Sequence, residues 1–382
     1  MSLTGPLFLG AIALVTIAAF VALVLLWPSL AGRSPGKVGA RAGMLLGVNF
    51  LVLLTAATQL NAQFLFFADW TDLGGALGGA TSSTALSRGA TASHAASKKV
   101  SGPVAIAGTS LPGIPLGRMS PSGVIAYTLR GPLSGITGKV VVQLPPGYTN
   151  PGNAGLRYPV METFQGYPST PEQWIGTMGL GAVLAHEVAA KRIRPVLIVS
   201  PQLEIPAGVD TECVNGTGGN PQVETWIARD VPNWVTHTFR VQTDRASWAA
   251  IGLSAGGWCA AMVAMLHPAQ YAAAIVMGGY FRPEFGPLYD AFPPASRLAA
   301  RYDLVALAKR APPSVALWLE TSHTDAVSYN SSAALLRAAK PPLAVSATVL
   351  QHAGHRVSLW QGLLPVSLIW LGAKVPGFSA TP

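Results

Sequence analysis

The sequence predicts an α/β protein, a mostly parallel, doubly wound sheet preceded by a two-helix transmembrane hairpin. Three observations predict it. The 382 residues are 50% hydrophobic and only 11% charged, too apolar for disorder and unusual for a chain that lies wholly in water. Two long uncharged stretches stand at the N-terminus. Strand-length and helix-length apolar patterns then alternate through the C-terminal two thirds, the pattern of a sheet with helices on both sides.

Residues 6–27 carry no charge and at 1.5 Å per helical residue reach across a hydrocarbon core of about 30 Å. Residues 43–68 form a second such stretch, so the expected hairpin covers residues 1–70. Thr55, Gln59 and Gln63 recur every four residues and share one helical face, which either packs against the first helix or is simply polar surface. Arg33, Lys37 and Arg41 lie between the helices, with Asp69 and Asp72 beyond the second. Positive connections stay in the cytoplasm, so both ends of the hairpin are expected outside, together with everything downstream. No Lys or Arg precedes the first apolar run, so a cleaved signal peptide fits less well.

Residues 74–99 are almost entirely Gly, Ala, Ser and Thr, which bury too little apolar surface to offset the entropy of ordering. A flexible linker is expected over 71–101 and a folded α/β domain over 102–382. In that domain 124–130 and 139–144 read as an antiparallel hairpin at a sheet edge. Strands buried on both faces are expected at 158–164, 196–200, 248–253, 272–277, 315–319 and 344–350. Helices are expected at 180–191, 223–239, 255–267, 331–339 and 357–371.

The formal charge of +9 comes from scattered residues with no basic run interleaved with aromatics, so nucleic acid is not an expected partner. With only two cysteines, a disulfide-stapled scaffold and a zinc site built on cysteine pairs are excluded.

Gly252, Leu253, Ser254, Ala255 and Gly256 match G-x-S-x-G. Gly32–Gly36 matches it as well, in the basic loop with no strand before it, so the string alone decides little. Ser254 differs because a β-rich run leads in and a helix-forming run leads out, which makes a nucleophile elbow. Small neighbours let the backbone fold tightly enough to expose Oγ, and the Ala255 N–H comes to a helix N-terminus, where it can stabilise an oxyanion. In the chain order Ser, acid, His, the base follows the last strand. His355, just before the final helix, is preferred over His352. The acid follows the preceding strand, where Asp325 is preferred and Glu320 remains the alternative; either could orient the base. The second oxyanion donor is expected at the Tyr167 N–H, in the glycine turn after 158–164.

On these residues the chain resembles the esterase D and mycolyltransferase branch of the α/β-hydrolases. Tyr158, Pro159 and Val160 with Gln165–Pro168 and Trp174 resemble its first motif, and Asp230, Val231 and Pro232 precede the elbow as in that family. Gly252–Gly257 with His267 and Pro268 resemble the nucleophile block, and Gly354, His355 and Trp360 the histidine block. Gln165 stands where many relatives have His or Asp, and the acid loop lacks the usual glycine before the aspartate. The resemblance covers about residues 102–372 and implies an α/β-hydrolase fold and serine ester hydrolysis or acyl transfer without cofactor. Two membrane helices ahead of such a domain are similar to membrane-tethered actinobacterial esterases.

The expected function is therefore a membrane-anchored, extracytoplasmic serine esterase acting on a lipid or glycolipid ester of the envelope. An acyltransferase that passes the acyl group to a sugar or lipid hydroxyl is the first alternative, and a non-catalytic envelope scaffold or binding module the second. Cys213, in a Gly-rich loop, and Cys259, in the first turns of the elbow helix, could pair outside the cytoplasm or remain free. Trp226 and Trp234, on one helical pattern, read as core.

Overall fold

The computed structural model describes residues 2–78, 83–89, 111–286 and 289–380. The chain divides into two compact units: Met1–Ser82 with Ser322–Asp325 and Leu350–Arg356, and Ser83–Thr321 with Ala326–Val349 and Val357–Pro382.

In the first unit, α1 (Pro6–Leu26) and α2 (Pro35–Phe64) are long and apolar enough to cross a membrane, and each begins with a proline whose missing N–H costs a first turn nothing. They pack through Thr16 and Thr55, whose hydroxyls lie 2.7 Å apart. The expected polar face is corrected in part: Thr55 meets α1, but Gln59 and Gln63 are exposed, and Thr58 and Asn61 are the buried polar residues of α2. The second helix also starts eight residues before the expected 43, so Lys37 and Arg41 lie on its first turns. Their long side chains reach back to the turn, Lys37 Nζ to Ala31 O (3.1 Å) and Arg41 Nη2 to Gly32 O (2.8 Å), as snorkelling allows.

Leu65, in the left-handed region at φ 53°, ends α2. Asn61 secures the reversal, donating to Phe67 O (2.9 Å) and accepting from Phe67 N–H (2.7 Å). A short α3 (Trp70–Gly78) follows, with the Asp69 carboxylate accepting from the Asp72 N–H at 2.8 Å.

The expected linker is therefore not uniformly irregular. It contains most of α3 and, in the second unit, β1 (Ser83–Gly89), an edge strand of the sheet. Pairing with an existing sheet edge satisfies a backbone whatever its side chains, and composition does not report that. Residues 90–110, which hold the rest of the linker and the expected start of the α/β domain, lie outside the described residues.

The second unit is built on a ten-stranded sheet ordered β1-β10-β9-β8-β7-β5-β6-β4-β3-β2. Its other strands are β2 (Ile114–Pro115), β3 (Val124–Arg130), β4 (Thr137–Gln143), β5 (Val160–Phe164), β6 (Leu197–Pro201), β7 (Trp248–Leu253), β8 (Ala273–Met277), β9 (Ala316–Ser322) and β10 (Ala344–Leu350). Strands β2, β3, β4 and β6 pair antiparallel, and β6, β5, β7, β8 and β9 pair parallel. Crossover helices are α4 (Leu180–Ala189), α5 (Val223–Thr225) running through a π turn (Trp226–Asp230) into α6 (Val231–Thr238), α7 (Ala255–Leu266), α8 (Arg297–Arg301), α9 (Leu304–Arg310), α10 (Ala326–Ala338) and α11 (Val357–Lys374).

The pleat distributes each central strand between two cores. Trp248 and Ala250 of β7 join Trp226, Trp234 and Trp258 on one face, whereas Ala249, Ile251 and Leu253 join Leu184 and Leu364 on the other. Trp226 and Trp234 are thus core residues, each at most 1% exposed. The expected continuous helix over 223–239 is interrupted by its π turn, and Pro232 explains it: a proline cannot bond four residues back, and a wider turn accommodates the loss.

Candidate active site

Ser254 stands between the end of β7 and the first residue of α7 at φ 55°, ψ −127°, a backbone that a residue with a Cβ adopts only under constraint. The glycines on either side explain the constraint. A Cβ on Gly252 would come within 1.8 Å of Gly256 O, and one on Gly256 within 2.1 Å of Phe164 O, the carbonyl at the end of β5. Gly257 packs its backbone against Gly279, after β8. The Ser254 N–H donates to Met277 O at 2.8 Å, so the elbow is bonded across the sheet to the end of β8. The second match, Gly32–Gly36, has no such setting: Ser34 there is the residue before α2, in the turn from α1.

Ala255 opens α7, where the first N–H groups of a helix lack partners within it. The loop after β5 runs alongside: a Cβ on Gly166 would sit 3.4 Å from Ser254 Cβ. Within this loop the Gly166 N–H is taken by Gln173 Oε1 (3.1 Å), and the Tyr167 phenol reaches Gly208 O (3.0 Å). Gln165, the departure from the family pattern, is buried with its amide between Pro201 O (3.2 Å) and Leu203 N (3.3 Å), so it ties β5 to the end of β6.

Cys213 and Cys259 form a disulfide with Cα atoms 5.7 Å apart, which ties the 210–220 loop to the elbow helix. Glu212 and Cys213 both take left-handed backbone, and the Trp258 indole of α7 donates to Glu212 O at 2.7 Å. A small cleft here is lined by Gly166, Tyr167, Glu204, Asp210, Cys213 and Ala255. Burial, reinforced by neighbouring Glu204, pushes the Asp210 carboxyl up to about 6.

In the first unit, His355 Nδ1 lies 2.8 Å from Asp325 Oδ2, with both side chains largely shielded. The loops that carry them are laced together: the His323 N–H donates to Leu350 O (3.0 Å) and Thr324 Oγ1 to Ala353 O (2.9 Å). His352 is half exposed and engages Asp69 Oδ2 at 2.9 Å. Glu320, in the second unit, is buried on β9 and accepts from the Trp360 indole of α11 at 2.9 Å. The structure thus brings Asp325 together with His355, and brings Ser254, Ala255 and the Tyr167 loop together around the elbow.

A family model described as "Putative esterase" matches residues 135–370, well over half of the chain. The chain belongs to the Esterase family. The chain is also 31% identical over 156 residues to an uncharacterized protein of Corynebacterium glutamicum, a match over 37% of this chain and 33% of that protein. The match therefore spans about a third of that relative's length.

Among solved structures, the chain is similar to a ferulic acid esterase (20% identity, TM-score 0.55, covering 67% of this chain and 97% of that one). It is also similar to an S-formylglutathione hydrolase from Agrobacterium tumefaciens (13% identity, TM-score 0.57, 69% and 99%). These likenesses establish the α/β-hydrolase fold. Among the described residues no cluster of three or more His, Cys, Asp and Glu is arranged to hold a metal ion.

Sequence reasoning missed the surroundings of the histidine. The segment that leaves α2, Leu65 to Asp72, bonds to the loop carrying His355, and no local pattern announces partners some 280 residues apart. Asp72 itself, acidic and near the start of α3, is the one signal, and in the sequence it shows only as charge flanking a membrane span.

Proposed function

We propose that this protein is a membrane-anchored, outward-facing serine esterase that cleaves carboxylic esters through an acyl-enzyme, with Ser254, His355 and Asp325 as its triad. The observation that carries the reading is the backbone of Ser254, held at φ 55° between β7 and α7 with glycines packed too tightly for any side chain. A serine presented on such a turn is arranged to attack.

In the proposed mechanism the His355 Nε2 takes the Ser254 proton as Oγ adds to the ester carbonyl. The oxyanion accepts from the N–H groups of Tyr167 and Ala255. Collapse expels the alcohol, protonated by His355, and leaves the acyl group on Oγ. Water, deprotonated by the same imidazole, then releases the acid and restores the serine. Asp325 keeps the proton on Nδ1, so that Nε2 faces the reaction as a base.

Helices α1 and α2 supply the anchor. Arg33 in the turn, with Lys37 and Arg41 on the first turns of α2, favours the cytoplasmic side and leaves Asp69 and Asp72 opposite. An ester at the membrane, lipid or glycolipid, is the substrate class this anchoring favours.

The test combines location with product. Cells expressing the full chain are treated with a membrane-impermeant fluorophosphonate, and membranes are then supplied with an acylated glycolipid. Labelling of intact cells and release of free fatty acid are expected. Labelling only after permeabilisation would overturn the orientation, and acyl transfer to a second glycolipid hydroxyl without free acid would make the enzyme an acyltransferase.

A further inference from the structure

We propose that Asp72 and Arg356 are positioning residues, through which the segment leaving α2 holds the histidine loop in its working conformation. The proposal rests on the reading of His355 as the general base.

Three consecutive residues of the loop are held by this segment. The Gly354 N–H donates to Asp72 Oδ2 at 2.7 Å, the His355 N–H to Leu65 O at 2.6 Å, and Arg356 Nη1 to both Asp72 oxygens at 2.7 Å and to Phe66 O at 3.2 Å. Asp72 is 2% exposed and also accepts from the Ala68 N–H (3.0 Å), so its carboxylate joins the turn after α2 to the histidine loop. The Arg356 guanidinium lies over the Phe67 ring at 5.2 Å. The contact is close enough that a Cβ on Gly354 would fall 2.2 Å from Phe66 O and 2.5 Å from Leu65 O.

The Asp325 bond fixes the imidazole's Nδ1, but it cannot fix the backbone from which the ring projects. That backbone has one support in the loop after β9 and a second in residues 65–72. Charge-assisted bonds to a buried carboxylate are short and directional, and they resist a shift of the kind that misaligns a base. A misplacement of about 1 Å at a catalytic group costs on the order of 10²-fold in rate. The turn that ends the second apolar helix thereby becomes part of what aligns the base, and activity depends on how that turn is held.

The test uses the full chain in detergent micelles, with kcat per active site counted by fluorophosphonate titration. Asp72→Ala is expected to lower kcat by about 10²-fold with KM within about twofold. Asp72→Asn, which keeps an oxygen for Gly354 and Ala68 but loses the charge and turns an amide N–H toward Arg356, should recover only part of that loss. Gly354→Ala, which displaces the loop without touching a charge, should fall with Asp72→Ala. A role in stability alone would reduce the number of titratable sites and leave kcat per site unchanged, and that result in both Asp72→Ala and Gly354→Ala overturns the proposal. His355→Ala run alongside separates the two readings. If it is inactive while Asp72→Ala turns over normally, only the positioning proposal fails; if it retains full activity, the general-base reading fails first.

Discussion

His355 Nδ1 and Asp325 Oδ2 lie 2.8 Å apart in loops bonded directly to each other. A carboxylate at Nδ1 holds the imidazole in the tautomer whose Nε2 accepts a proton and stabilises the imidazolium that forms. Asp325→Asn, similar in shape but favouring the wrong tautomer, is expected to lower kcat by roughly 10³- to 10⁴-fold with little change in thermal midpoint. Glu320→Gln keeps an acceptor for the Trp360 indole and should leave kcat within about fivefold. Steady-state kinetics on a p-nitrophenyl ester distinguish the two; the reverse ranking would make Glu320 the acid.

The disulfide predicts a stability effect. Cys213 and Cys259 are 46 positions apart, and closing a loop of that length constrains the unfolded chain by about 4 kcal/mol. The Cys213→Ser, Cys259→Ser double variant should therefore melt well below the oxidised protein, and adding a reductant should move the wild type to the same midpoint. Equal midpoints with and without reductant would show that the bridge contributes nothing.

Glu162 predicts a pH dependence. It is fully buried on β5, one oxygen bonded to the Tyr271 hydroxyl, and burial pushes its carboxyl from 4.5 up to about 8. Below pH 4.5 the group is protonated in folded and unfolded chains alike and contributes nothing. Between 4.5 and about 8 the folded state holds the extra proton, so stability declines as pH rises and the full penalty stands above 8. Glu162→Gln, which still accepts from Tyr271, should raise the thermal midpoint at pH 9 by several degrees and leave it unchanged near pH 4. A gain of the same size at both pH values would contradict this account.

The core of the fold was legible because its elements are long and its pleat strict. β3, β7 and β10 fall on the expected residues, and α7 starts at Ala255 as the elbow pattern requires. What was not legible depends on distant partners. β1 forms within a stretch rich in Gly, Ala, Ser and Thr because a sheet edge was there to pair with. α2 begins at Pro35 because Lys37 and Arg41 can reach back to the turn. The choice between Asp325 and Glu320 stayed open because both follow the same strand. Alternation separates them: Glu320 shares the face of Trp318, toward Trp360 of α11, whereas Asp325 lies beyond the strand in the loop that meets His355.

The nucleophile is the central claim, and one measurement addresses it most directly: fluorophosphonate labelling of the full-length protein, with the modified residue identified by mass spectrometry and ester turnover followed in parallel. The account predicts a single adduct on Ser254, and loss of both labelling and turnover in Ser254→Ala, by several powers of ten in rate. An adduct on another serine, or a folded Ser254→Ala variant that labels and turns over like wild type, would contradict it.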